Sequence, residues 1–182
     1  MNREQWLNVV KEEATPLFVE HGYPLPSNIR ISVGFPKGVR KAVGQCFSSE
    51  CSGDDTFELF VSPVVEGGEE VAGILVHELC HAAVGTKAGH RGEFKKCAES
   101  VGLVGPMIFS TPGPELEEWL QGVVLSAGPY PHATLSPTVT KKDGIRQVKI
   151  ECPDCGYVCR TTRKWLNVGL PTCCCGREME EC

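Results

Sequence analysis

Two groups of side chains in this sequence have the types and spacing of metal chemistry. The first is His77-Glu78-Leu79-Cys80-His81. On a helix, residues four apart stand one turn above each other on the same face, so His77 and His81 can grip one ion. Glu78 lies about 100° around the helix from His77 and about 60° from His81, so its carboxylate can reach a water on that ion without ligating it. His90 follows His81 after eight intervening residues, with Gly85 and Gly89 available to end the helix and turn the chain back. It is the candidate third ligand. Three protein ligands and a fourth position left for water are the arrangement of a catalytic zinc. Such an ion lowers the pKa of its water to about 7 and polarises a carbonyl oxygen, which predicts amide hydrolysis. Glu78 would be the general base, passing the water's proton to the leaving nitrogen.

The second group is made of cysteines. Seven of the eleven fall between Cys152 and Cys182. Cys152-Pro153-Asp154-Cys155-Gly156 has the form of a zinc knuckle, in which backbone amides after the first Cys bond its sulfur and Gly permits the turn. Cys173-Cys174-Cys175-Gly176 follows after 17 residues, a separation that fits a zinc ribbon. By analogy with the first knuckle the Cys before Gly176 is a ligand, and Cys173 is its partner because adjacent residues rarely share one ion. The expected structural site is therefore Cys152, Cys155, Cys173 and Cys175, with Cys174, Cys159 and Cys182 as substitutes. So small a module cannot bury enough surface to fold unaided, and its zinc would supply the missing stability.

The elements that must position these groups are readable from periodicity. Val71, Ile74, Leu75, Leu79 and Ala82 recur at helical spacing, making the His-bearing segment a buried helix. Trp6, Val9, Val10, Ala14, Leu17 and Phe18 predict an amphipathic helix over about 3–21, broken or kinked where Thr15 caps and Pro16 starts a second piece, with His21 a helix-terminal or surface residue. Ile29–Val33, Ala42–Phe47 and Phe57–Val61 read as three short strands of an antiparallel or mixed sheet. The last of these, just before the metal helix, is well placed to pair with an extended peptide by strand addition. Cys46 and Cys51 read as free thiols in or near the core. Further helices are expected over Glu93–Val101 and Glu115–Ala127, separated by a Gly- and Pro-rich connector. The stiff turn Gly128-Pro129-Tyr130-Pro131-His132 offers Tyr130 and His132 either as donors to an oxyanion or as turn packing.

At 182 residues, 41% hydrophobic and 23% charged, the chain suits one ordinary domain with an appendage. A net charge of -5 argues against whole-protein affinity for nucleic acid. Between Lys141 and Leu170, however, the basic Lys141, Lys142, Arg146, Lys149, Arg160, Arg163 and Lys164 outnumber Asp143, Glu151 and Asp154. Basic groups beside Trp165 could track a nucleic-acid backbone and stack a base; otherwise Trp165 fills the ribbon's core and the charges are solvated. No signal peptide or membrane-spanning stretch is evident, and the odd cysteine total with C-x-x-C spacing favours thiolate ligands in a reducing cytoplasm.

The order of parts resembles the SprT-like family of zinc metalloproteases, Spartan-related, and is most similar to its compact phage and bacterial members. The resemblance rests on Val43-Gly44-Gln45-Cys46-Phe47, Phe60-Val61-Ser62-Pro63, His77-Glu78-Leu79-Cys80-His81 with His90 and Phe94, Pro129-Tyr130-Pro131-His132-Ala133, and Cys152-Pro153-Asp154-Cys155-Gly156-Tyr157 followed by Arg160-Thr161-Thr162-Arg163-Lys164-Trp165. It implies a gluzincin-like core with ligands His77, His81 and His90 and base Glu78, acting on DNA-associated proteins, in a host cytoplasm if phage-encoded. Members often follow the third His directly with Gly, whereas here Arg91 intervenes before Gly92.

The expectation is an α+β chain: a metallopeptidase core of helices packed on a small three-stranded sheet over 1–140, then a zinc ribbon over 141–182. It would carry one catalytic and one structural Zn2+ and act on protein or peptide, with DNA as a partner through the basic ribbon. The alternative is a non-catalytic zinc-binding module for nucleic acid or protein, and a third option is a hydrolase of non-peptide amides.

Overall fold

A computed structural model describes residues 1–37, 42–136 and 147–182. It begins with helix α1, Arg3–Glu20, opened by a capping box in which the Asn2 side chain accepts from the Gln5 amide and Gln5 returns the bond. The break expected at Pro16 does not occur. Thr15 donates its hydroxyl to Lys11 O at 2.9 Å instead of capping, and the helix carries Pro16 inside it. Burial of Trp6, Leu7, Val10, Ala14 and Phe18 outweighs the missing backbone bond.

Three strands follow: β1 (Ile29–Val33), β2 (Gly44–Phe47) and β3 (Phe57–Val61), in the order β1-β3-β2. β1 runs parallel to β3 and β2 antiparallel, so the sheet is mixed. β3 is its central strand, with both edges already paired, and the expected strand addition of a peptide to it is ruled out. β2 is the edge that lies against the next helix.

That helix, α2 (Gly68–Val84), is the hub of the first unit. It packs on α1, on β2 and β3, and on the two helices that follow, α3 (Glu93–Ser100) and α4 (Pro114–Ala127). Its buried residues surround nearly the whole circumference, from Val71 to Ala82. Glu69 and Glu70 in its first turn suit the positive end of the helix dipole, and Gly85, at φ 82°, ends it. Between α3 and α4 the connector forms a small hairpin, β4 (Leu103–Val104) with β5 (Thr111–Pro112), closed by a 3-10 turn at Met107–Phe109.

The chain divides into two compact units, Met1–Pro137 and Thr138–Cys182. The boundary expected at 140/141 lies outside the described residues, as do Lys141, Lys142, Asp143 and Arg146. In the second unit β6 (Gln147–Glu151) lies between β7 (Val158–Thr162) and β8 (Glu180–Glu181), both antiparallel, with one helical turn, α5 (Arg163–Leu166), after β7. The whole is α+β with small sheets. Among the described residues no helix is long and apolar enough to cross a membrane.

Candidate metal centres

His77 and His81 project from one face of α2, and the turn after that helix returns His90 to them. Gly85 (φ 82°) and Gly89 (φ 54°) take the left-handed conformations that this reversal needs, with a 3-10 turn over Thr86–Ala88 between them. His90 Nε2 lies 3.1 Å from His77 Nε2 and 3.2 Å from His81 Nε2. Around an ion with metal–nitrogen bonds of about 2.1 Å, tetrahedral ligands stand about 3.4 Å apart, so the three nitrogens already describe most of one face of such a tetrahedron. Phe94, fully buried on α3, stacks on His81 with ring centroids 4.1 Å apart and fixes that ring from behind.

The electrostatics suit neutral imidazoles. Burial, then the neighbouring His90, pulls the pKa of His77 down to about 4. Burial, then His77 and His90, pulls that of His81 down to about 3. His90 is lowered by burial as well. His77 Nδ1 lies 2.8 Å from Ser110 Oγ. With its proton directed there, Nε2 keeps the lone pair that a metal requires. His81 Nδ1 is buried and has no partner among the described residues.

Glu78 stands beside this group, 5% exposed, and no hydrogen bond or ion pair reaches its carboxylate among the described residues. Burial alone raises its pKa to about 8. The carboxylate rests on Gly44 of β2: a Cβ there would meet Glu78 Oε1 at 2.3 Å. Cys46, two residues along β2, is pushed up to about 12 by burial and then by Glu78. Gly44 and Ser110 were both missed as site residues. A glycine inside a strand signals close approach of something, and here that something is the carboxylate. Nothing in the local sequence marks Ser110, which is 33 positions from its partner.

The cysteine group is equally well defined. Cys152 Sγ lies 3.5 Å from Cys175 Sγ, and Cys155 Sγ 3.5 Å from Cys173 Sγ, near the edge of about 3.8 Å for a tetrahedron with metal–sulfur bonds of about 2.3 Å. The Cys155 amide, and less strongly that of Asp154, stabilises the Cys152 thiolate and brings it down to about 7 against the cost of burial. Gly156 (φ 72°) and Gly176 (φ 89°) provide the two turns. Cys159, Cys174 and Cys182 stand outside the group, as do Cys46 and the exposed Cys51. Cys80 meets Cys97 in the core.

No family model matches the chain, and no curated protein or solved structure matches it. The arrangement therefore speaks through its own chemistry: each group could hold a metal ion, one with three nitrogen donors and one with four sulfurs.

The structure does not bring the other expected groups to the histidines. Tyr130 packs edge-on against Trp6, 5.1 Å between centroids, with the Arg3 guanidinium over its ring. Trp6 in turn meets α2 at Gly68, about 13 Å along the helix from His77. His132 lines a separate cleft with Asn2, Arg3 and Glu4. Turn packing is thus the role seen for Tyr130, although its buried hydroxyl has no hydrogen-bond partner among the described residues. Trp165 does not fill the small core of the second unit, which is made by Ile150, Cys152, Cys173 and Met179 with Cys159 and Leu166; it is 59% exposed.

Proposed function

We propose that the chain is a zinc-dependent peptidase with a gluzincin-like core, of the SprT-like kind its motifs resemble. The observation that carries this reading is three converging imidazole nitrogens beside a buried carboxylate that no hydrogen bond or ion pair reaches among the described residues. A purely structural site has no use for that carboxylate, and burying it unpaired is costly. Three imidazoles and four thiolates are both donor sets that suit zinc, the first with a position left open. When bound there, the ion supplies a Lewis acid for a carbonyl oxygen and a water of lowered pKa.

The chain's own residues do the rest. His77, His81 and His90 present neutral nitrogens, one of them aligned by Ser110. Gly44 seats the Glu78 carboxylate, which takes the proton from the attacking water and delivers it to the amide nitrogen as the C–N bond breaks. In the metal-free chain burial raises the proton affinity of that carboxylate. An extended substrate would pair along β2, whose outer edge meets no other strand among the described residues.

The test is Glu78→Gln. Metal content should be retained while cleavage of an unfolded protein falls by about 10²-fold or more. A native chain that holds no metal, or a variant that cleaves as well as the native one, defeats the reading. In that case the alternative, a non-catalytic zinc-binding module, takes its place.

A second function for the four-cysteine unit, contact with nucleic acid, is favoured by the exposed Trp165 with Lys164 Nζ 5.0 Å from its ring centre. Among the described residues Arg163 is bound by Glu181, Lys149 by Glu151 and Arg177 faces Asp154, while Arg160 and Lys164 are available for phosphate. Binding to single-stranded DNA should weaken as salt rises and be lost in Trp165→Ala; salt-independent binding would exclude phosphate contacts.

A further inference from the structure

The hairpin between α3 and α4 is an uncharged stretch of the first unit. From Leu103 to Pro114 it contains no ionisable side chain. Its path is set by α2. A Cβ on Gly73 would lie 3.0 Å from Pro112, and one helical turn further along the same face Ser110 meets His77. Running backwards from Pro112, the hairpin therefore follows the helix toward the histidines, with Ile108 and Phe109 next in line after Ser110.

Those two side chains face solvent. Ile108 is 59% exposed and Phe109 77%, although the turn that bears them is firmly held: Met107 is buried, and the Phe109 amide donates to Pro106 O at 2.7 Å. Two large apolar groups held out by an anchored turn, within two residues of a group bonded to a candidate metal ligand, form a contact surface continuous with that site.

We infer that Ile108 and Phe109 form the specificity lip of the site and receive an apolar side chain of a polypeptide next to the bond being cut. The inference rests on the peptidase reading for its occupant. The lip selects unfolded or extended segments, because in a folded protein such side chains are mostly buried. The loop itself offers no counter-ion to an acidic or basic side chain at that position.

The experiment measures binding apart from turnover. Metal-loaded Glu78→Gln protein is titrated with two fluorescein-labelled extended peptides that differ at one position, Phe in one and Ser in the other. The Phe peptide should bind roughly 10-fold more tightly. Adding Ile108→Ser and Phe109→Ser should erase that difference with metal content unchanged, while Phe109→Leu keeps it. Equal affinity for both peptides, binding of neither, or discrimination that survives the double substitution overturns the inference. So does a dimer of the chain that the double substitution dissolves, since the patch would then belong to a second copy. If the native chain cleaves neither peptide while discrimination is present and lip-dependent, the hydrolytic reading fails and the lip stands.

Discussion

The Glu78 carboxylate is held by contact with a residue that has no side chain. Gly44→Ala would place a methyl group where Oε1 now sits, so the carboxylate must swing away or β2 must shift. Metal binding should survive while turnover falls by about 10- to 100-fold, the loss expected for misplacing a catalytic group by an ångström. The same burial leaves a mark on stability. In the metal-free chain the folded state holds the Glu78 proton up to about pH 8, against 4.5 for an ordinary glutamate. The folded state thus binds the extra proton in that window, and stability falls as pH rises through it. His77 and His81 act in the opposite sense: their pKa values are depressed to about 4 and about 3, so stability falls as pH drops below 6.5 toward those values. Of these three groups Glu78 alone titrates between pH 6.5 and 8, while Cys152 in the second unit, lowered to about 7, acts in the opposite sense. Urea unfolding midpoints of the native chain should therefore decline across that interval relative to those of Glu78→Gln.

At the scale of elements, α1 keeps a proline that breaks the rule of its own helix. Pro16→Ala restores a backbone donor and should stabilise the first unit by up to about 3 kcal/mol in chemical unfolding, with α1 unchanged in position. The outcome at Pro16 shows where a sequence stops being legible. The positions of α1 to α4 and of β1 to β3 were readable because their signals are local: the apolar rhythm of Val71 to Ala82, the alternation of Ile29–Val33, the glycines at 85 and 89; β4 to β8 were read only as connector and ribbon. The sharing of one ion-sized space by His77, His81 and His90 was readable too, because helix geometry and one glycine turn determine it. What could not be read is long-range. Strand order depends on which pairings win after collapse, so β3's central place was hidden. The continuity of α1 was decided by burial of Trp6 and Phe18 rather than by Pro16. Ser110 and Gly44 reach the site through packing that no spacing rule encodes, and Trp165 stays outside a core small enough to be closed by Ile150 and Met179.

The molecule as a whole combines two units held together in different ways. The first has a continuous core reaching from Trp6 on α1 to Val123 on α4, enough to fold on apolar burial. Among its described residues the second has four that are buried, and two of these, Cys152 and Cys173, belong to the thiolate group. If that group holds zinc, as proposed, the ion would supply most of the unit's stability, on the order of 10 kcal/mol by comparison with zinc-finger peptides. A strong chelator should make residues 147–182 sensitive to limited proteolysis while the helical circular dichroism, which comes mainly from α1 to α4, persists. Simultaneous loss of both signals would show that the first unit also needs its ion to fold. The third imidazole hangs from an arm, 85–92, in which Gly85, Gly89 and Gly92 all hold positive φ. Apart from its histidine the arm is tied by Ala88 against the core and by an exposed ion pair between Lys87 and Glu50. Stripping the ion should therefore speed deuterium uptake first along that arm, leaving the middle of α2 protected, so that occupancy could be followed from the backbone without any substrate.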